Sequence, residues 1–398
     1  MRHLLITVMV LLFSSTVFAS GFAVKDQGTK AMSLANAFTG VADDTTAAWY
    51  NPAALVFQDG VSVTAGGQVV MPKVDYTATN GATSSMDKKN HVIPFAYLSY
   101  NLEDSPLAFS LAVNAPFGLS TDWTNSGAPF DPASGGITFS QIQMININPT
   151  LSYKINDNFS FAVGMMYYDV NKVSFDSKII TQHGSGNGWG GNAAVFYKSD
   201  GFNAGLVYRS RVKVDVSGTA TGIGALAAAG STSVTSGVTF PDMVSGGMSF
   251  HPTENVLVSA QVDWVNWKTF DKLTFNRGRT IGPIGLTTTV QENWKATTSF
   301  ALGTEWSFQK DMHLRAGYSF DPSPVNAKDF SPRIADNDRH FFTIGYGQDF
   351  AENGTLNLAY GYILVNNLTQ TASTAASRRN GTYKSNINVF SADYTMHF

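Results

Sequence analysis

Arg209, Arg211 and Lys213 stand at alternate positions and are the most chemically pointed feature of this 398-residue chain. On an extended strand, positions two apart share a face. A continuous strand over 202–217 therefore puts these cations on one side with Asp215, and Phe202, Ala204, Leu206, Tyr208, Val212 and Val214 on the other. Such a row can hold a carboxylate, with arginine gripping in bidentate fashion. It can equally pair with acids such as Asp263 and Glu305 and stiffen a wall. Arg339 offers the same two roles. A second feature is the apolar run from Ile223 through Leu226 to Ala229, set in a polar segment. Exposed apolar surface of this kind serves hydrophobic ligands, a neighbouring loop, or lipopolysaccharide.

Motifs for catalysis fail on context. Gly186-Asn187-Gly188-Trp189-Gly190-Gly191 fits G-x-G-x-x-G, but no helix or spaced acid follows it. No G-x-S-x-G nucleophile elbow is present. The 7 histidines (3, 91, 183, 251, 313, 340 and 397) are scattered, with no pair at metal-ligand spacing. Asp336-Asn337-Asp338 reads as solvated turn residues or a weak cation loop. The reading is a non-enzyme without metal or cofactor. The net charge of −3 supplies no basic face for nucleic acid.

The elements that must position these residues follow from composition and period. Only 14% of residues are charged, against about 25% in soluble domains, yet no run of about 20 apolar residues follows Phe18. Alternation resolves this. Phe159, Phe161, Val163, Met165 and Tyr167 share one face against Ser160, Ala162, Gly164 and Met166. Strands are expected near 61–70, 91–101, 107–117, 141–155, 159–175, 189–198, 202–217, 241–250, 256–266, 294–308, 312–320, 339–348, 354–364 and 387–398. Their connections alternate. Short ones lie at 103–105, 156–158, 199–201, 252–255, 309–311 and 351–353, and long polar ones at 71–90, 118–140, 176–188, 218–240, 267–293, 321–338 and 365–386. A transmembrane β-barrel with tight periplasmic turns and long external loops predicts that asymmetry, and a sandwich does not.

Two segments stand apart from the alternation. Residues 1–19 have a basic start, an aliphatic stretch and Val17-Phe18-Ala19, the parts of a secretory signal. Residues 20–56 do not alternate. Ala31, Leu34, Ala35 and Phe38 have helical spacing, with Gly40 as a stop, so the segment reads as a surface cap or a plug inside the lumen. Within strand three, Ala108, Ser110, Ala112 and Asn114 face inward, and then Pro116 removes a ladder bond while Gly118 frees the backbone. That is a break in the wall or simply the strand's end.

In order along the chain, Ser20-Gly21-Phe22, Ala42-Asp43-Asp44, Asn51-Pro52-Ala53, Asn114-Ala115-Pro116-Phe117-Gly118-Leu119, Gln261 to Trp267, Phe320 to Val325 and Asp336 to Arg339 resemble motifs of the FadL family of outer-membrane transporters. The resemblance implies an all-β membrane protein of the Gram-negative outer membrane. It would be a 14-stranded antiparallel barrel (57–398) whose lumen holds a partly helical hatch (20–56) behind the signal peptide. It implies passive, ligand-gated diffusion of long-chain fatty acids with a lateral exit at a kinked strand three. Alternatives are hydrocarbon transport on the same fold, an adhesin or phage receptor acting through its loops, and a hydrolase with a rim Ser and His near an acid. Expected gate residues are Asn51, Pro52, Ala53, Asn114, Pro116 and Gly118, with Asn51-Pro52-Ala53 near the strand-three wall. Expected ligand contacts are Phe22, Arg209, Arg211, Lys213, Arg339, Ile223 and Leu226. Expected partners are outer-membrane lipid, lipopolysaccharide and, through the terminal strand ending in Phe398, the barrel-assembly machinery. The chain is expected to be a monomer.

Overall fold

A backbone in hydrocarbon must satisfy every N–H and C=O internally, so a sheet crossing it has to close on itself. The computed structural model, which describes residues 21–102, 104–125, 136–350, 354–371 and 380–398, shows that closure. Its 14 antiparallel strands form one barrel. They are β1 (Val61–Ala78), β2 (His91–Asn101), β3 (Leu107–Asn114, resuming at Leu119–Asp122), β4 (Phe139–Lys154), β5 (Phe159–Asp176), β6 (Ile180–Ser199) and β7 (Phe202–Arg209, then Val212–Gly222). The rest are β8 (Ser231–Phe240, then Met243–Thr253), β9 (Val256–Val265), β10 (Thr297–Gln309), β11 (Met312–Asp321), β12 (Arg339–Asp349), β13 (Gly354–Val365) and β14 (Gly381–His397). Each pairs with its sequence neighbours, and β1 pairs with β14 from Ser62↔His397 to Ala78↔Gly381, which closes the ring. The expected signal peptide, Ser20, Glu103, the expected short connection at 351–353, and residues 126–135 and 372–379 of the expected long connections lie outside the described residues.

The alternation sorts the two faces. Phe109, Leu151, Phe161, Val163, Leu206, Leu302, Ile344 and Phe390 are exposed on the outer, lipid-facing surface. At its edges lie ring pairs such as Tyr167–Trp189 at 4.5 Å and Phe159–Tyr197 at 4.8 Å, as expected of aromatic girdles. The inner face is small and polar, with Ser110, Ser152, Ser160, Ser249 and Thr343 all buried.

Several expectations need correcting. Residues 176–188 are not a long loop: β5 and β6 run on to a short turn at 177–179. The glycines of 186–191 sit inside β6 as a packing seam. A Cβ on Gly186 would stand 2.3 Å from the Asp215 carbonyl, and Val212 and Val214 fill that space. Residues 218–240 likewise form a hairpin capped by a 3-10 turn at Gly224–Ala229. Strand seven is not continuous. It breaks at Ser210-Arg211, and its partner β8 breaks at Pro241-Asp242. Crossing the break reverses the faces, so Val212 and Val214 are buried while Lys213 and Asp215 point out.

The hatch fills the lumen. Helix α1 is only Thr29–Ser33 and α2 only Ala47–Tyr50, followed by a 3-10 turn, Pro52–Phe57. The expected helix to Gly40 stops early because Ala35 and Asn36 are left-handed, with φ of 51° and 66°, a conformation that ends an α-helix. So irregular a backbone leaves many orphan polar groups, and small lumenal side chains satisfy them. Ser152 Oγ donates to the Pro52 carbonyl (2.7 Å), Ser160 Oγ to Ala53 (2.6 Å), Ser249 Oγ to Gly40 (2.8 Å) and Thr343 Oγ1 to Ser33 (2.9 Å).

Candidate functional site

Strand three sets the site. Its ladder with β2 ends at Ala96↔Val113. Its ladder with β4 stops at Asn114↔Asn146 and resumes at Leu119↔Ile142. The intervening residues turn to the hatch instead. The Val24 N–H donates to the Pro116 carbonyl (2.8 Å), and the Gly118 N–H to the Phe22 carbonyl (2.9 Å). Ala23 bridges Phe117 in antiparallel fashion. The Gln27 carboxamide receives the Ala115 N–H at 3.3 Å and donates to the Ala115 carbonyl at 3.1 Å. Pro116 therefore does more than end a strand, and the hatch N-terminus replaces the missing neighbours in the wall.

Behind the break lies a cavity lined by Lys25, Trp49, Pro116, Arg209, Met243 and Asp263 among others. Arg209 is 4% exposed, and its Nε and Nη2 have no hydrogen-bond partner. Its guanidinium carbon stacks 4.0 Å from the centre of the Trp49 ring. Lys25 is committed elsewhere, with Nζ 2.6 Å from Ser299 Oγ, 3.3 Å from Asp321 and 3.7 Å from Asp263.

Toward the outside, Phe22, Phe117, Tyr168, Phe240, Trp267, Phe270 and Trp294 are all buried. Phe22 stands at their centre, 4.7 Å from the Trp267 ring and 5.1 Å from the Phe270 ring. Beyond them, a second cavity is lined by Leu119, Ile142, Phe175, Val216, Val238 and Phe270. Phe270 lines this outer cavity, whereas Ala23 and Pro116, next in sequence to Phe22 and Phe117, line the inner one. The aromatic cluster thus stands between the two.

The remaining candidates scatter. Asn51 Nδ2 donates to the Val195 carbonyl at 3.1 Å and Asn51 Oδ1 caps Ala53 at 3.2 Å. Together with Ser152 and Ser160, this anchors Asn51-Pro52-Ala53 chiefly on β4, β5 and β6 rather than on strand three. Asn114 accepts from Asn146 at 2.8 Å and donates to Tyr97 Oη at 3.3 Å. The row of cations dissolves at the Ser210-Arg211 break. Arg209 stays inside, while the Arg211 and Lys213 side chains are 60% and 70% exposed and pair with Asp242 and Asp215. Asp263 instead meets Lys25, and Glu305 meets Arg315 at 2.5 Å. Arg339 is held by buried Asp336, which also accepts from the Gly21 N–H at 3.2 Å, so Asp336 is not a solvated turn residue. Leu226 packs against Gly282, so the Ile223–Ala229 run is spent partly on loop-to-loop contact. Gln27, Trp49 and most of the aromatic cluster were not among the candidates, because their partners lie far away in sequence.

Hatch acids are perturbed. Burial pushes the Asp26 carboxyl from its ordinary 3.8 up to about 6, against the pull of an Asn36 hydrogen bond and Lys25. Burial, then Asp43, pushes Asp44 up to about 6 against Lys30 and Thr46. A folded value above the unfolded one means the stabilising contribution is complete below about 3.8 and is lost as pH rises through about 6. Hatch amides should therefore exchange faster at pH 8 than at pH 5 after correction for intrinsic rates. Equal corrected rates would contradict this.

A Ser-His-Asp line does occur at the periplasmic rim. Ser307 Oγ lies 2.9 Å from His313 Nδ1, and His313 Nε2 lies 2.9 Å from Asp349 Oδ2. Nucleophilic catalysis also needs room for a substrate beside the nucleophile. Neither cavity is lined by these residues, and they tie the ends of β10, β11 and β12 together.

A family profile described as outer membrane protein transport protein (OMPP1/FadL/TodX) matches residues 10–173 and 168–398. A long-chain fatty acid transport protein of Escherichia coli O6:H1 is 25% identical over 414 residues, covering 90% of each chain. The crystal structure of a Pseudomonas aeruginosa FadL homologue superposes with a TM-score of 0.82 at 19% identity, covering 95% of this chain and 100% of that one. The Ralstonia pickettii toluene transporter TbuX gives a TM-score of 0.71 at 15% identity, covering 95% and 99%. These likenesses to solved structures extend to the fold.

Proposed function

The chain belongs to the OMPP1/FadL/TodX family of outer-membrane transport proteins, and on that premise we propose that it admits long-chain fatty acids by passive diffusion and releases them sideways into the membrane. Ligand would enter the outer cavity, pass the Phe22 cluster as the hatch N-terminus shifts, and rest in the inner cavity beside Pro116. Exit would follow the break between β2 and β3. The observation that carries the fatty acid reading is Arg209. A buried, unpartnered guanidinium is costly, and a carboxylate head would satisfy the free Nε and Nη2 while the tail keeps to apolar walls. The neutral alternative, an aromatic hydrocarbon, is favoured only by the ring cluster around Phe22 and leaves Arg209 unpaired.

The same reading takes residues 1–19 as export signal, 20–56 as hatch and 57–398 as barrel. It takes the chain as a non-enzymatic monomer that meets lipid and lipopolysaccharide on its outer face and is assembled through the Phe398 strand. A deletion strain should lose growth on oleate and keep growth on toluene, with this chain restoring the former. Retained growth on oleate, or loss confined to toluene, would contradict the proposal.

A further inference from the structure

Strand β2 carries a proline where a wall strand should not have one. The Asn101 N–H donates toward β1, to the Gly60 carbonyl at 2.9 Å, and the Leu102 N–H toward β3, to the Leu107 carbonyl at 3.1 Å. Both registers of β2 run on without a shift. Peptide groups alternate sides along a strand, so the even-numbered residues of β2 face β3. Continued past Ala96↔Val113, that register sets Pro94 opposite Ala115 and Val92 opposite Phe117.

Such a facing pair normally exchanges two hydrogen bonds. Pro94 has no N–H, so a closed Pro94–Ala115 pair would form one bond and leave the Ala115 carbonyl bare. Gln27 offers both, accepting the Ala115 N–H at 3.3 Å and donating to its carbonyl at 3.1 Å. Its carboxamide copies the peptide group that β2 lacks. Gln27 is itself fixed: it is fully buried, Nε2 also donates to the Val24 carbonyl at 2.9 Å, and its N–H donates to Tyr50 Oη at 2.8 Å.

We propose that Pro94 and Gln27 form a latch that keeps the β2–β3 wall open, Pro94 by making the closed register defective and Gln27 by substituting for it. Both are positioning residues, and their bearing on transport rests on the lateral exit proposed above. The closed ladder would be continuous and the lumen sealed from lipid at this height. The open form therefore persists through two residues 67 positions apart in the chain, not through Pro116 alone.

The chain has no cysteine, so a Val92→Cys/Ala115→Cys pair gives a clean probe, since these residues become diagonal neighbours only if the ladder closes. Cross-linking by a short bis-methanethiosulfonate is measured in that background, in Pro94→Ala and in Pro94→Ala/Gln27→Ala, alongside oleate uptake and the heat-modifiable gel mobility that reports a folded barrel. One restored hydrogen bond shifts such an equilibrium about fivefold. Cross-linking should rise about fivefold in Pro94→Ala and more in the double variant, with uptake falling in step. If the double variant does not fold, Pro94→Ala alone decides. Unchanged cross-linking in the folded variants overturns the latch. Faster cross-linking with unchanged uptake upholds the latch and overturns the lateral exit.

Discussion

Arg209→Leu is expected to lower oleate uptake about 10- to 100-fold, because a hydrogen bond to a charged group is worth about 1.5–3 kcal/mol. The sign of its effect on stability separates this from a structural role. Two of the Arg209 nitrogens, Nε and Nη2, are buried without a hydrogen-bond partner among the described residues. Removing the charge should thus leave the empty barrel as stable as before, or more so. Arg209→Lys should retain part of the uptake, since an ammonium attracts a carboxylate but neither forks around it nor stacks as flatly on Trp49. A drop in melting temperature with unchanged uptake would show Arg209 to be a wall residue.

Gly317→Val should open the barrel to the outside. A Cβ at Gly317 would lie 2.5 Å from the Ala35 nitrogen and the Leu34 carbonyl carbon, which are backbone atoms of the hatch and cannot swing aside. Overpacking costs about 1–3 kcal/mol, and here it falls on a segment already bent through left-handed Ala35 and Asn36. The hatch is expected to lift off β11, and cells carrying the variant should become sensitive to vancomycin, which an intact hatch excludes. Gly246→Ala, whose nearest new contact is Leu206 at 3.7 Å, should be silent. Equal vancomycin resistance in both would contradict tight hatch seating. Gly205 is expected to behave like Gly317, since its Cβ would meet the Thr39 carbonyl and Asn51 Nδ2 at 2.3 Å.

The barrel was legible in the sequence because lipid on one side and a packed lumen on the other impose a period of two, plainly in 159–167. Period two failed where the chain breaks step. Nothing about Ser210-Arg211 announces a break, yet crossing it turned Lys213 from an expected lumenal cation into a surface one. Pro241, which has no N–H to give a ladder, is the sequence mark of the matching break in β8. The hairpin through 176–188 was hidden because glycine alternation carries no hydrophobic contrast. Residues in the site were legible only where a local anomaly marked them, as Pro116 and Gly118 did. Gln27 looks ordinary in its own segment, and its meaning comes from Ala115, 88 positions away.

The most direct test of the account is a crystal structure with a brominated long-chain fatty acid, locating the bromine by its anomalous signal and the carboxylate by density. The account predicts the carboxylate within hydrogen-bond reach of Arg209 Nε and Nη2, the chain in the inner cavity beside Trp49, and Pro116 at the side where β2 and β3 part. A carboxylate placed away from Arg209, or a ligand found only in the outer cavity, would contradict it.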